Sequence, residues 1–388
     1  MHNGRYPTYD VVVVGAGSIG SPAALALAEA GLRTLVIDGR ASPGQGSNKA
    51  AIGGIRATHS DPAKVRLCLR SLEVFSTWKE RYGDDIEWHQ GGYVFVAYRE
   101  REEKILKELM ETQHALGLKI DWLDQEDLLQ VVPDLNAQGL LGGTFSPEDG
   151  SISPLLSNHA FYRQASARGA EFRFREQVTD FITEQGRVVR VKTDKGEYAC
   201  GTVILAAGAW AQPLAALVGM HTPVNPDSHE AAITEPVAPF LGPMVVDIRP
   251  APGSANYYFY QHATGQLLFC ITPSPNIWGC ETCETSEFLP MVSQRMIEIM
   301  PRLSNLRVRR TWRGLYPMTP DGYPIIGWSQ EVQGFLVAVG MCGQGLMLGP
   351  GVAELLARMV QGQPTGADLE TLDQLSPYRE FAGQEKLK

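Results

Sequence analysis

The sequence predicts an α/β fold, with strand–helix units at both ends of the chain and strand-rich segments between them. Three observations carry this. Near the start, the run Asp10–Val14 leads into a Gly-rich turn and a helix of small residues. Near the end, a second Gly-rich strand–loop–helix spans 337–361. Between about 224 and 305 the pattern is mostly alternating strand. An uninterrupted β-branched run such as Val11–Val14 is how a parallel strand covered on both faces reads. No Pro/Gly linker splits the chain, so the parts are interleaved.

Each element follows from its residues. Gly15 to Gly20 is the first turn. Ser21 to Ala30 favours helix, with Pro22 in the first turn, where a missing N–H does little harm, and Gly31 as the stop. Thr34–Ile37 is a second buried strand, ending at Asp38. Ala41 to Thr58 is rich in Gly, Ser and Asn, a loop of functional length. Helical periodicity marks 63–82, 102–116, 155–168 and a stretch near 291–300. Gly92 to Tyr98, Glu171 to Phe174, Val188 to Val191 and Val203 to Leu205 read as strands. The last clear helix is Val352–Gln361. The polar tail, Tyr378 to Lys388, is expected to fray.

The chain has 388 residues, a formal charge of −9, 44% hydrophobic and 20% charged residues. These are ordinary globular values and exclude a largely disordered chain. The acidic balance argues against a general nucleic-acid binder. No stretch reaches the roughly 18–20 consecutive apolar residues of a membrane span. Met1 to Asp10 lacks the basic and apolar regions of a secretory signal. The six scattered cysteines fit reduced thiols and a cytoplasmic location. Cys280 and Cys283 form a single CxxC with no second ligand pair, so no metal site is expected.

Gly15-Ala-Gly17-Ser18-Ile19-Gly20 is a GxGxxG between a strand and a helix, and Asp38 follows 18 residues after Gly20. That context makes it a dinucleotide fingerprint. Gly15 permits the tight turn, Gly17 lets backbone approach a pyrophosphate, and Gly20 allows close helix–strand packing. The helix N-terminus offers N–H groups to phosphate. Asp38 suits a ribose diol. Two later segments favour a flavin over a nicotinamide. Thr202–Trp210 is a buried strand ending in small residues, which passes close beneath a cofactor. Thr319–Gly327, followed by Val337–Gly345, is a Gly-rich strand–loop–helix that presses its backbone against a flavin ring.

These segments resemble the FAD-dependent D-amino-acid oxidase superfamily, in the branch of sarcosine oxidase, glycine oxidase and the β subunits of sarcosine oxidase and L-proline dehydrogenase complexes. The likeness runs from Tyr9 to about Gln361. It rests on Val11–Gly31, Gly54-Ile-Arg56, Gly91-Gly-Tyr93, Phe145–Gly150, Ala207–Trp210, Arg310-Thr-Trp312, Thr319–Gly327 and Gly340–Gly345, with Arg310–Asp321 most similar to the proline-dehydrogenase β subunits. The resemblance implies a glutathione-reductase-like FAD domain formed by 1–85, 145–222 and 306–388. A substrate domain on a mixed, mostly antiparallel sheet would come from 86–144 and 223–305. It implies oxidation of the C–N bond of a small amino or imino acid, proline-like, sarcosine-like or otherwise N-substituted, by hydride transfer to flavin.

The resemblance also implies site residues. FAD would be held by Gly15, Gly17, Ser18, Ile19 and Gly20, by Asp38, Gly39 and Arg40, and by Ser47, Asn48, Gly53 and Gly54. Val178, Ala207, Gly208, Trp210 and Gly314 would add to these, with Gly340, Gly343, Gln344, Gly345, Leu346 and Met347 beside the flavin. Arg56 matches an arginine that binds the substrate carboxylate, which suits a guanidinium's paired donors. Tyr316 matches a tyrosine near the substrate. Tyr257 or Tyr258 supplies another, with the register open.

Departures from the family shape the expectation. Gly314 stands where monomeric sarcosine oxidases attach FAD to a cysteine, which implies non-covalent FAD. Leu267 stands for a lysine that promotes reaction with oxygen, and Met347 for a second carboxylate-binding lysine. Both losses point to a dehydrogenase. Ser153 replaces a histidine that carries covalent FMN, which leaves room only for non-covalent FMN at a subunit interface. The β-subunit likeness implies partner subunits with FMN or iron–sulfur carriers. The alternatives are an oxidase releasing hydrogen peroxide and a non-catalytic FAD subunit for assembly or relay. His229, His59 and His89 read as structural more readily than as bases, and no catalytic base is assigned. Arg313 and the cluster Arg307–Arg310 read as structural or solvated.

Overall fold

Val11 and Val13 pack to one side of their strand and Val12 and Val14 to the other, and both sides are buried. The computed structural model, which describes residues 6–387, places this strand, Thr8–Val14, inside an eight-stranded sheet. It pairs in parallel with Thr34–Asp38 on one side and Glu197–Leu205 on the other. Glu171–Phe174 and Phe335–Val339 extend the parallel sheet outward, and Ile325–Trp328 closes one edge antiparallel. Helices Gly20–Glu29, Pro62–Ser76, Pro154–Ala167 and Gly345–Val360 lie along one face. The hairpin strands Val178–Glu184 and Arg187–Thr193 extend from Glu197–Leu205.

A second eight-stranded sheet runs in the order Val308–Met318, Asn225–Thr234, Leu267–Pro273, Ser254–Gln261, Met244–Asp247, Tyr93–Ala97, Gly142–Ser146, Asp121–Asp124. Only the pairing of Met244–Asp247 with Tyr93–Ala97 is parallel. The expected mixed, mostly antiparallel sheet is therefore present. Gly142–Ser146, which spans the segment end expected at 145, and Val308–Met318, which lies within the segment 306–388 expected for the FAD domain, both belong to it. Two-residue strands, Gly54–Ile55 and Gly150–Ser151, form a small ribbon.

Three sequence expectations need correction. The helix expected over 63–82 breaks at Thr77, whose hydroxyl donates to the Glu73 carbonyl at 2.7 Å, so Pro62–Ser76 and Trp78–Tyr82 are separate. The helix expected from Val352 begins at Gly345, with Pro350 inside it. Gly349-Pro350-Gly351 reads as a breaker, yet its glycines serve packing: a Cβ at Gly349 would overlap the Ser18 carbonyl, and one at Gly351 the Leu67 carbonyl. The tail does not fray over its described part. Helix Gly366–Gln374 carries a Thr365/Asp368 capping box. Arg379 pairs with Asp321 at 2.8 Å, and Glu385 and Leu387 are buried. Long-range counter-charges hold the tail, and local composition does not display them.

Gly351→Ala is expected to destabilise the fold by about 1–3 kcal/mol through overpacking, read as a lower denaturation midpoint. Gly366→Ala, where a Cβ meets nothing within 4 Å, should stay within about 0.5 kcal/mol. Equal midpoints for the two variants would contradict the packing account.

Candidate active site

A cavity of about 740 Å³ opens between the two sheets. At one end the strand Thr8–Val14 stops at Gly15, which has φ +107°, and a Cβ there would meet the Ala206 carbonyl oxygen at 2.5 Å. A Cβ at Gly20 would overlap the Gly15 carbonyl, so Gly20 seats the helix on the strand. A Cβ at Gly17 would meet no protein atom within 4 Å. Gly17 lines the cavity, so the space beside it is room for a ligand.

The turn is pinned from several sides. The Ala16 carbonyl accepts from Gly44 N at 2.9 Å, Ser21 Oγ at 3.0 Å and Asn158 Nδ2 at 3.2 Å. Ser18 Oγ donates to Asn48 Oδ1 at 2.7 Å, and Asn48 Nδ2 to the Pro154 carbonyl at 2.9 Å. Asp38 accepts from Ala16 N at 2.8 Å and Arg40 N at 2.7 Å, one on each carboxylate oxygen. A carboxylate has about four lone-pair sites, so Asp38 still has acceptor capacity toward the cavity it lines. The Arg40 guanidinium lies 5.1 Å from the Trp210 ring at the rim.

The features fit a dinucleotide. Helices Gly20–Glu29 and Gly345–Val360 both begin at the cavity without a side-chain cap or an acidic residue in the first turn, so their N–H groups are available to phosphate and flavin oxygens. Ser47 Oγ and Gln344 Oε1 line the cavity, buried, with no hydrogen-bond partner among the described residues. Of the residues expected to hold FAD, all but Gly20 and Gly340 line it. Gly20 acts by packing. Gly340, at φ +67°, turns the chain against Thr319. A Cβ at Gly343 would overlap the Tyr316 ring, and one at Gly314 would meet Ala50 Cβ at 2.6 Å.

At the other end the second sheet presents aromatic and charged groups. Tyr316 stacks on His229 with ring centroids 3.7 Å apart, and its hydroxyl meets that of Tyr258 at 2.9 Å. This settles the register: Tyr258 lines the cavity, while Tyr257 stacks on Phe259 inside the core. Burial pushes both the Tyr258 and Tyr316 phenols well above the ordinary value, so both are neutral near pH 7. His229 Nε2 lies 3.0 Å from Asp227 Oδ2. Burial raises the Asp227 pKa, but bonds from His229, Asn276 and Ile277 N–H more than offset it and hold the carboxyl below its usual range. His229, expected to be structural, thus also forms part of the cavity wall.

The ribbon Gly54–Ile55 delivers Arg56 to the cavity, where it is 5% exposed. Its guanidinium lies 5.4 Å from the Phe95 ring. Nη1 donates to the Thr58 carbonyl and lies 3.2 Å from His59 Nδ1, and Nη2 donates to the Leu387 carbonyl at 2.6 Å. Burial, with the charges of Arg56 and Lys64, holds His59 well below its usual range, so it is neutral. Asp149, immediately before the ribbon strand Gly150–Ser151, accepts from Ala57 N and Thr58 Oγ1, both at 2.9 Å. Burial pushes its carboxyl up to about 7, against the pull of those bonds and of Arg56. Lys64 and Glu385 form a fully buried ion pair. Burial opposes ionisation of Glu385, but Lys64 overcomes it and takes the carboxyl down to about 2.

Other residues singled out by sequence lie elsewhere. Leu267 points into the core beneath the second sheet, away from the cavity. On that strand Cys270 and Thr272 line the cavity, and Leu268 shares their face. The side facing the cavity is therefore one residue on from the expected Leu267. Arg313 donates to the Cys283 carbonyl at 3.1 Å, off the cavity. Cys280, Cys283, His89, Arg307, Arg309 and Arg310 are exposed. Ser153 caps helix Pro154–Ala167 through Leu156 N. Sequence reasoning left Asp149, Lys64, Glu385 and Leu387 without a role. The only local signal was Asp149's place in the quoted Phe145–Gly150 motif.

Comparison with known proteins bears on this geometry. The family model described as FAD dependent oxidoreductase (DAO) matches residues 10–359. Glycine oxidase of Geobacillus kaustophilus is 28% identical over 369 residues, covering 93% of this chain and 95% of the relative. Mitochondrial sarcosine dehydrogenase of Mus musculus is 26% identical over 380 residues, covering 92% of this chain and 40% of the relative. The crystal structure of L-proline dehydrogenase from P. horikoshii superposes with a TM-score of 0.90 at 31% identity, covering 96% of this chain and 98% of that one. With the family model spanning nearly the whole chain and a cavity shaped for a dinucleotide, the chain belongs to the DAO family of FAD-dependent oxidoreductases.

Proposed function

We propose that this chain oxidises the C–N bond of a small amino or imino acid, proline-like, sarcosine-like or otherwise N-substituted, with Arg56 binding the carboxylate. The observation that carries this is a buried arginine lining the cavity across from the Gly-rich cradle. Three of its N–H groups meet Thr58, His59 and Leu387. A guanidinium has five, so donors are left for a carboxylate. Bound FAD supplies a two-electron hydride acceptor. Tyr258 and Tyr316, neutral and mutually hydrogen-bonded, offer an acceptor to the substrate nitrogen. Phe95, Met244, Val246 and Cys270 give that end an apolar wall suited to a small ring or N-methyl group. The carbon loses hydride as its nitrogen lone pair forms C=N. The imine then hydrolyses, or persists if cyclic. Glycine oxidase, sarcosine dehydrogenase and L-proline dehydrogenase are named for substrates of this class.

The electron acceptor in this reading is other than oxygen. Among the cavity-lining residues Arg40 and Arg56 are the only lysines or arginines, and Arg40 stacks at the far rim. Among the described residues no lysine lines the cavity to stabilise developing superoxide. In this reading the chain takes a β-subunit role in the cytoplasm, as the resemblance over Arg310–Asp321 implies, with electrons leaving through partner subunits that carry FMN or iron–sulfur centres. Non-covalent FAD is consistent with Gly314, which has no side chain to bond it. An oxidase would reoxidise in air within seconds after anaerobic reduction, and that result would overturn the dehydrogenase reading.

Arg56→Ala should raise KM for the amino-acid substrate by roughly 10–100-fold, the worth of a hydrogen bond to a charged group, with the flavin spectrum unchanged. An unchanged KM would remove Arg56 from the site and favour a relay subunit.

Ionised Asp149 adds a negative charge beside Arg56, and burial pushes its carboxyl up to about 7. Below that pH Asp149 is neutral and Arg56 keeps its full attraction for an anion. The affinity for pyrrole-2-carboxylate, read from the flavin spectrum, should therefore weaken as pH rises from 6 to 8. Asp149→Asn should flatten the profile. A wild-type profile that is already flat would contradict this assignment.

A further inference from the structure

The described end of the chain is packed against the proposed carboxylate site, and nothing in the sequence announces it. Beyond Arg379, anchored on Asp321, the chain runs to Glu385, whose N–H donates to the Asp321 carbonyl at 3.2 Å. Glu385 accepts from Ser60 N at 3.0 Å and Ser60 Oγ at 2.6 Å and pairs with Lys64. Lys386 N donates to Ser60 Oγ at 3.1 Å. Leu387 is 0% exposed, set among Phe95, Leu106, Leu109 and their neighbours. Its carbonyl receives Nη2 of Arg56.

We propose that this segment is a strap that positions Arg56 for carboxylate binding, with Leu387 and Glu385 as positioning residues. The inference rests on the reading of Arg56 given above. Two neutral carbonyls, of Thr58 and Leu387, hold the guanidinium from different nitrogens. A carbonyl orients a guanidinium without cancelling its charge, so the full positive charge stays available to an incoming anion. A carboxylate in the same place would form an internal ion pair and compete with the substrate. The strap's own carboxylate, Glu385, is committed to Lys64. Holding a long side chain in its bound geometry removes an ordering cost from ligand binding. Leu387 does not line the cavity although Arg56 does. Leu387 therefore supports the arginine from behind, while the strap's Glu385, committed to Lys64, forms part of the cavity wall.

The test uses the FAD-loaded protein and pyrrole-2-carboxylate as the probe, with steady-state kinetics on whichever amino acid reduces the flavin. Leu387→Gly removes the buried anchor of the strap, and Leu387→Met preserves it. A second variant lacking residues from 384 onward removes the strap outright. Its bound-flavin spectrum and melting curve show whether it is folded. The expected result for Leu387→Gly is a probe Kd and a substrate KM raised about tenfold, the loss of one hydrogen bond to a charged group. Turnover at saturation should stay within about twofold, and Leu387→Met should behave as wild type. Tighter probe binding in Leu387→Gly would overturn the proposal and make the strap an internal competitor. Unchanged Kd and KM in Leu387→Gly and in the folded truncated chain would overturn it and leave the strap a packing element. If Arg56→Ala also binds the probe as wild type does, the carboxylate assignment itself fails. If Arg56→Ala weakens binding and Leu387→Gly does not, only the strap fails.

Discussion

A cation held out of water between two sheets is the constraint on which this structure turns. Burying an unpaired charge costs several kcal/mol even after relaxation, and Arg56 is 5% exposed. The surroundings meet that cost without a full counter-charge. Arg56 has the face of Phe95, two backbone carbonyls and a neutral histidine. A neighbouring carboxyl, Asp149, is itself pushed up to about 7 by burial. Lys64 and Glu385 close on each other. Among the described residues two fixed cations therefore face one fixed anion, and a ligand carboxylate would bring the balancing negative charge.

The rest of the architecture serves that arrangement. The ribbon of Gly54–Ile55 with Gly150–Ser151 brings Arg56 and Asp149 to one place from segments nearly a hundred residues apart. The second sheet supplies Tyr258, Tyr316 and the Asp227–His229 pair from strands in register. At the far end the first sheet stops at a turn whose glycines bring backbone against backbone, and helix Gly345–Val360 is drawn in by Gly349 and Gly351. The same closeness that packs these helices aims two uncapped helix ends into the cavity. Packing of the core and shape of the cofactor slot are thus one problem with one solution.

What the sequence displayed depended on range. The strand–GxGxxG–helix–strand–Asp38 run is local, and the structure reproduces it element by element. Tyr316 and Gly343, which line the cavity, were also readable, because each sits in a local sequence motif. Register on an isolated strand was harder: a step of one residue reverses the face, so Leu267 was expected over the flavin while Leu268, Cys270 and Thr272 share the facing side. Gly349-Pro350-Gly351 hid the first turns of a helix, since residues chosen for close approach look like residues chosen to break. His229 looked structural because its stacking partner lies on a neighbouring strand. The tail was least legible. Glu385 and Lys64 are 321 residues apart, and no local pattern couples them.

The most direct measurement is an anaerobic titration of the FAD-loaded protein with proline, hydroxyproline, sarcosine, glycine and D-alanine, following the flavin's visible absorbance. The account predicts that at least one bleaches the flavin in wild type at concentrations that leave Arg56→Ala oxidised. A flavin that none of them reduces, or one reduced equally well without Arg56, would contradict it.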